Sequence, residues 1–427
     1  MFANIVVDEF KMRRRIFRFG AALAVLSAAL AFALTAFDDL FISPDDPAIE
    51  YSTRPAHDPV AELNRKIQQG RTQLKFDPAN GYLRPLLEAL KIPLESQLAV
   101  FSKTSFQTSG IGPHNPRSVF FNDSVVVAWL RGAWTVELAA EDPEQGVVFY
   151  TLDQQFSQKP VFHRRDDCLS CHNSYNAAGV PGMLVRSVVT ARDGTALFQL
   201  GSYNTDHTSP MEQRWGGWYV TGKSGGARHM GNILAMDAHA GAPAPRADEL
   251  VSLEGKIDTG GYVSKYSDIV ALMVFEHQMR AINLLTRAGW EARYAAYRKT
   301  TPAPDASIAL ADYLLFVDEA ALNGRIEGSS GFDRTFAAGG PRDSQGRSLR
   351  QFDLEHTLMR YPCSYMIYSA AFDALPEGTR DAVYQRMWAV LSGKERGERY
   401  AHFTAADRQA ALEILRETKP GLPKYFR

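Results

Sequence analysis

Three cysteines in 427 residues are too few for a disulfide-stapled scaffold, and a chain of this length buries a full core without staples. An excess of positive charge is also missing: 47 Lys and Arg stand against 48 Asp and Glu. No basic face for nucleic acid is therefore expected. Internal repeats are absent as well, which excludes solenoid and propeller arrays.

The first forty residues differ in kind from the rest. The basic stretch KMRRRIFR at 11–18 precedes FGAALAVLSAALAFALTAF, an uncharged and mostly aliphatic segment from Phe19 to Phe37, and two aspartates follow. Residues 1–37 are expected to be a signal peptide or an N-terminal membrane anchor through 19–37. Ala31, Ala33 and Ala36 offer cleavage points, so both outcomes stand. Either one places the remainder outside the cytoplasm, in the periplasm or its equivalent, because the basic residues precede the segment and the acids come after it. Arg14-Arg15-Ile16-Phe17 fits the core of a twin-arginine export signal, a route for folded cargo; for a chain that crosses unfolded, the arginines are simply the positive n-region. Residues 1–37 hold five basic and two acidic side chains, so the exported part has 42 against 46 and a net charge near −4.

Residues 38–59 are rich in Pro and Asp and lack hydrophobic periodicity, as a linker would. Short amphipathic helices are expected over 60–76 and 83–90. From 117 the pattern becomes RSVFFND, SVVVAWLRG, TVELAAED and GVVFYTLDQ, a β-meander of three or four strands. Strands resume in MLVRSVVTARDGTALFQLG, where Asp193-Gly194 signals a hairpin, in GGWYVTG and in NILAM. A Pro/Gly/Ala stretch at 240–247 marks a boundary. Beyond it, Ser267 and Asp268 can cap a long helix that is apolar nearly all round at its start, and further helices fit 307–322, 353–372, 377–392 and 404–417. The fold class is α+β: a β-rich domain over 60–245 and a helical domain over 246–427 packed on it.

Two of the cysteines lie in DDCLSCHNSYNAAGVPG, residues 166–182. Cys-x-x-Cys-His is the c-type haem attachment sequence. Each thiol adds across one haem vinyl group, so the two sulfurs sit about one helical turn apart, and the following imidazole reaches the iron. Cys168 and Cys171 would be the thioether positions and His172 the proximal ligand of one covalent haem c. Zinc would need two further ligands, and the remaining cysteine, Cys363, is far away. A thioredoxin-type dithiol would open a helix in a βαβ unit, whereas these flanks are meander strands. An exported disulfide between Cys168 and Cys171 would leave His172 without a role.

Through CLSCH the chain resembles the c-type cytochromes. Through FYTLDQ, VPGMLVRSV, RWGGWYVTG, HMGN and RYPCSYMIYSAAFDALP it is also similar to large bacterial proteins that contain a cytochrome c domain and have no assigned activity. It departs from a small cytochrome in size and in the strands around its motif, so the usual distal methionine does not carry over. Candidates for the sixth ligand are Met183, His207, Met211, Met230, His163, His277 and, leading, His229, whose Gly-rich neighbourhood lets a flat cofactor approach. An iron with no protein ligand on that side is the alternative.

GWYVTGKS, residues 217–224, matches the phosphate-binding pattern G-x-x-x-x-G-K-S, but strand formers fill its middle and no helix is expected after it. Trp215, Trp218 and Tyr219 beside glycines suit either ordinary packing or a flat wall against haem. Cys363 reads as a buried small hydrophobe, with Tyr361, Tyr365 and Tyr368 at helical spacing around it. The function expected is electron transfer by an exported monohaem c-type cytochrome, with a redox protein or a membrane quinol system as partner. A haem enzyme, peroxidase- or oxygenase-like, competes because the chain far exceeds what electron carriage needs. A haem-based sensor is the third reading.

Overall fold

The computed structural model describes residues 41–234 and 247–426. The apolar segment 19–37 and part of the stretch at 240–247 lie outside the described residues. No helix among the described residues is long and apolar enough to cross a membrane.

The molecule is α+β. Helices α1 (Pro59–Gln68) and α2 (Leu83–Ala89) precede strands β1 (Leu98–Val100), β2 (Arg117–Phe121), β3 (Val125–Trp129), β4 (Thr135–Asp142), β5 (Gly146–Asp153) and β6 (Phe162–Arg164). A short helix α3 (Leu169–His172) leads into β7 (Asn173–Ser174), β8 (Val180–Pro181), β9 (Arg186–Val188), β10 (Ser202–Asn204) and β11 (Trp218–Tyr219). The second half holds α4 (Ile269–Arg298), α5 (Asp305–Leu314), α6 (Phe332–Ala338), α7 (Ala370–Asp373), α8 (Glu377–Leu391) and α9 (Ala405–Thr418).

Seven strands form one antiparallel sheet in the order β11-β1-β2-β3-β4-β5-β6. The meander thus continues to β6, and β11 returns to lie outside β1. Both faces are covered, as a sheet with near-continuous apolar strands requires. Phe120, Val127, Leu138, Val148 and Leu152 face α1 and α2 in one cluster. Val119, Phe121, Val126, Ala139 and Phe149 face α4 in the other, which also takes in the later helices. The sheet and the helical half therefore share a core.

Helix α4 starts where the capping residues were read. Asp268 accepts hydrogen bonds from Val270 N and Ala271 N with one carboxylate oxygen and from Ser329 N and Ser330 N with the other. Ser267 Oγ donates to Tyr219 O and accepts from Ala99 N, fastening the helix start to β11 and β1. The turn at Asp193-Gly194 also forms, with Gly194 at φ 89°.

Two segments differ from expectation. Residues 41–59, read from composition as linker, are packed: Ile49 and Tyr51 are buried, Tyr51 Oη donates to Val147 O, and Tyr150 Oη donates to Asp58. Their few apolar side chains have no period because they fill gaps rather than line a helix. Residues 353–372 are mostly irregular, with a 3₁₀ turn at Tyr365–Tyr368 and α7 only at the end. Asp353 bonds the backbone N–H of Glu355 and His356 in a local turn, and Pro362 removes a donor, so a continuous helix is blocked. The helix expected over 307–322 likewise stops at Leu314, because Phe316 and Asp318 adopt left-handed backbone.

Near the far end of β4, Glu141 is buried and its Oε1 has no hydrogen-bond partner among the described residues. Burial pushes its carboxyl up to about 8, helped by Asp123 and Asp142. A carboxyl raised on folding keeps its proton where the unfolded chain has lost it, so stability falls as pH rises from about 4.5 to about 8. Glu141→Gln removes this dependence. Urea denaturation across that window should show the wild type losing stability faster than the variant; parallel curves would refute the assignment.

Candidate functional site

After edge strand β6 the chain crosses onto the α4 face of the sheet. A 3₁₀ turn at Asp166–Cys168 runs into α3, so Cys168 and Cys171 are carried by one continuous stretch of about two turns. Asp166 and Asp167 are neutralised by Arg164 and Arg165. Cys168 is half-buried and Cys171 exposed, and both are free thiols. Burial pushes the Cys168 thiol up to about 11.

The imidazole of His172 is held from behind. Its Nδ1 lies 2.9 Å from Gly182 O. A carbonyl only accepts, so Nδ1 carries the proton and Nε2 is left with a lone pair. Phe149 of β5 packs against the ring at 4.7 Å between centroids. Burial lowers the His172 pKa, favouring the neutral form that a metal ligand needs.

The carbonyl is itself fixed. Asn283 of α4 clamps the next residue, accepting from Met183 N at 3.0 Å and donating to Met183 O at 2.8 Å. A Cβ at Gly182 would stand 2.2 Å from Asn283 Oδ1. Only glycine permits this close approach.

The other sequence candidates are dispersed. Met183 is buried beside Gly182, on the Nδ1 side of the imidazole. His163 is exposed on β6, and strand alternation puts it on the same sheet face as Phe149. His229 is buried beyond β11, the edge strand opposite β6; its Nδ1 accepts from Gly231 N, its ring meets Trp215 at 5.2 Å, and burial lowers its pKa to about 4. Met211 is core, and Met230 Sδ accepts from Ser187 Oγ.

His207 and His277 are brought together in a buried cluster. Their Nδ1 atoms are 2.7 Å apart, and His277 Nε2 lies 2.7 Å from Ser364 Oγ. Tyr313 and Phe316 enclose both rings. One residue before His277, Glu276 pairs with Arg214 at 3.2 Å and accepts from Thr205 Oγ1. Burial holds both histidines neutral.

The glycine-rich segment serves packing. A Cβ at Gly216 would meet Val188 O at 2.5 Å, and one at Gly217 would meet Ser102 Cβ at 2.6 Å. Lys223 of the phosphate-binding pattern is ion-paired with Glu327. Cys363 is fully buried, with Tyr365 buried near it.

A cavity of about 300 Å³ opens at the end of the β2–β3 hairpin, against α4 and α6. Phe121 on its wall and Phe149 against His172 belong to one cross-strand row, Phe121-Val126-Ala139-Phe149. Three strand spacings, roughly 14 Å, separate them.

Gly182, Asn283, Phe149 and this cavity were not singled out from sequence. A signal existed for Asn283, since it stands between Ile282 and Leu284 in a helix whose first half is mostly apolar. Comparisons with family models, with curated proteins and with solved structures found no match. No group of three or more His, Cys, Asp or Glu able to hold a metal ion occurs among the described residues, which weighs against zinc. A protonated Cys168 weighs against a reactive dithiol.

Asn283→Ala leaves the Met183 N–H and C=O without partners in the core. The expected loss is about 2–4 kcal/mol in urea denaturation. A variant with wild-type stability would show that the clamp is dispensable.

Proposed function

We propose that the chain is an exported monohaem c-type cytochrome that transfers single electrons. Cys168 and Cys171 would hold the haem by thioether bonds, and His172 would give Nε2 to the iron. The observation that carries this reading is the imidazole of His172, fixed in one tautomer by Gly182 O beside two unpaired thiols. A protonated Nδ1 bonded to a carbonyl is the usual support of a ligating histidine.

Bound haem supplies a one-electron couple. The chain's own residues supply position. Phe149 and the Gly182 carbonyl fix the plane and rotation of the imidazole. The exposed Cys171 keeps the attachment edge near the surface, where a redox protein or a membrane quinol system can reach it. Around it stand Tyr175, 78% exposed, and Phe106, 61% exposed, the latter under the Arg165 guanidinium. Exposed aromatics of this size suit a docking rim.

The distal candidate His229 lies beyond β11, at the opposite edge of the sheet from His172, and its Nδ1 accepts from Gly231 N, so its neutral ring carries the proton on Nε2 and has no lone pair there for an iron. His163, one strand from Phe149 and on the same sheet face, is the proposed distal ligand in its place. The competing function is a haem enzyme with an open iron; the cavity on the same sheet face favours it. Export rests on the segment 19–37.

Production in a host that attaches c-type haem should give a band that stains for haem on a denaturing gel. Cys168→Ala with Cys171→Ala should abolish the stain, while His172→Ala should keep it with altered iron coordination. Covalent haem surviving in the double variant would sink the assignment. His163→Ala, and not His229→Ala, should alter the low-spin ferric spectrum; the reverse would move the distal role to His229.

A further inference from the structure

The cavity of about 300 Å³ has a composition that selects a ligand. Its apolar side is a continuous aromatic wall: Phe121 meets Phe332 at 5.5 Å between centroids, and Phe332 meets Phe336 at 5.5 Å. Its polar side is cationic. Lys91 lines it with no ion pair among the described residues. Arg350 lies 4.6 Å over the rings of both Phe336 and Tyr365, which locks the guanidinium in place. One of its terminal nitrogens pairs with Asp123, yet its Nε–H is buried without an acceptor among the described residues.

The floor cannot do the recognising. Gln278 has its amide engaged at both ends, donating to Asn122 O and accepting from Tyr365 Oη. Polar selection therefore falls to Lys91 and Arg350, two cations against the single carboxylate of Asp123. The volume is at the lower end for ligand pockets, enough for one ring.

We infer that this cavity is a binding site for a small anion with one aromatic ring, a ring-bearing carboxylate whose ring lies on Phe121, Phe332 and Phe336 and whose carboxylate meets Lys91 and Arg350. The inference goes beyond the haem reading and does not rest on it. Binding here would also load Tyr365 and Gln278, and through them α4.

Benzoate, with neutral benzamide as its match in shape, tests this on the full chain by calorimetric titration. Benzoate should bind saturably, with a dissociation constant of about 1 mM or tighter, and more tightly than benzamide. Lys91→Gln, at an exposed position where folding is not at risk, should weaken benzoate about tenfold and leave benzamide unchanged. Lys91→Arg should restore benzoate. Equal affinity for the two probes, no saturable binding of benzoate, or a Lys91→Gln variant that binds benzoate as well as the wild type would each overturn the inference.

Discussion

Helix α4 runs through the core, and the polar groups it carries there must all be paired. Glu276, His277, Gln278 and Asn283 are each at most 1% exposed. A polar side chain so deep is tolerated only when hydrogen-bonded, and each one reaches a different part of the chain. Glu276 takes Arg214 and Thr205; His277 takes His207 and Ser364; Gln278 takes Asn122 and Tyr365; Asn283 takes Met183. One helix thus fixes the β2–β3 hairpin, the segment after the cysteine motif and the irregular stretch before α7. Apolar burial holds the layers together, while these four residues set which backbone lies against which.

That arrangement explains why a motif in a short exposed turn can have a well-defined histidine. Helix α3 has only four residues, and a helix that short has little stability of its own. Its imidazole is oriented instead by a carbonyl that Asn283 anchors to the longest element in the molecule. The order of causes runs from a buried amide, through two backbone bonds at Met183, to the proton on Nδ1 and the lone pair on Nε2. Electron transfer needs this kind of rigidity, since axial geometry and burial set the potential of a haem.

Much of the fold was legible in the sequence where the pattern was regular. Runs rich in β-branched and aromatic residues foretold β2 to β5, the Asp193-Gly194 pair foretold its turn, and Ser267-Asp268 foretold the start of α4. The motif itself was legible because the chemistry of thiol, thiol and imidazole is written at adjacent positions. What stayed hidden depends on contacts across the chain. Tyr51 looked like part of a linker because nothing local says that its hydroxyl meets Val147. Residues 353–372 looked helical because apolar spacing outweighed Pro362 and the Asp353 turn. Gly182 and the row from Phe121 to Phe149 become visible only when strand register is known.

The proposed haem site is tested most directly by the state of its iron. An absorption spectrum of the purified protein, oxidised and reduced, with and without carbon monoxide, reads it in one preparation. Electron transfer predicts sharp low-spin ferrous bands that the gas leaves unchanged, meaning two protein ligands. A high-spin spectrum that shifts with carbon monoxide would contradict electron transfer in favour of an open catalytic iron, and a protein without haem absorption would contradict the attachment site itself.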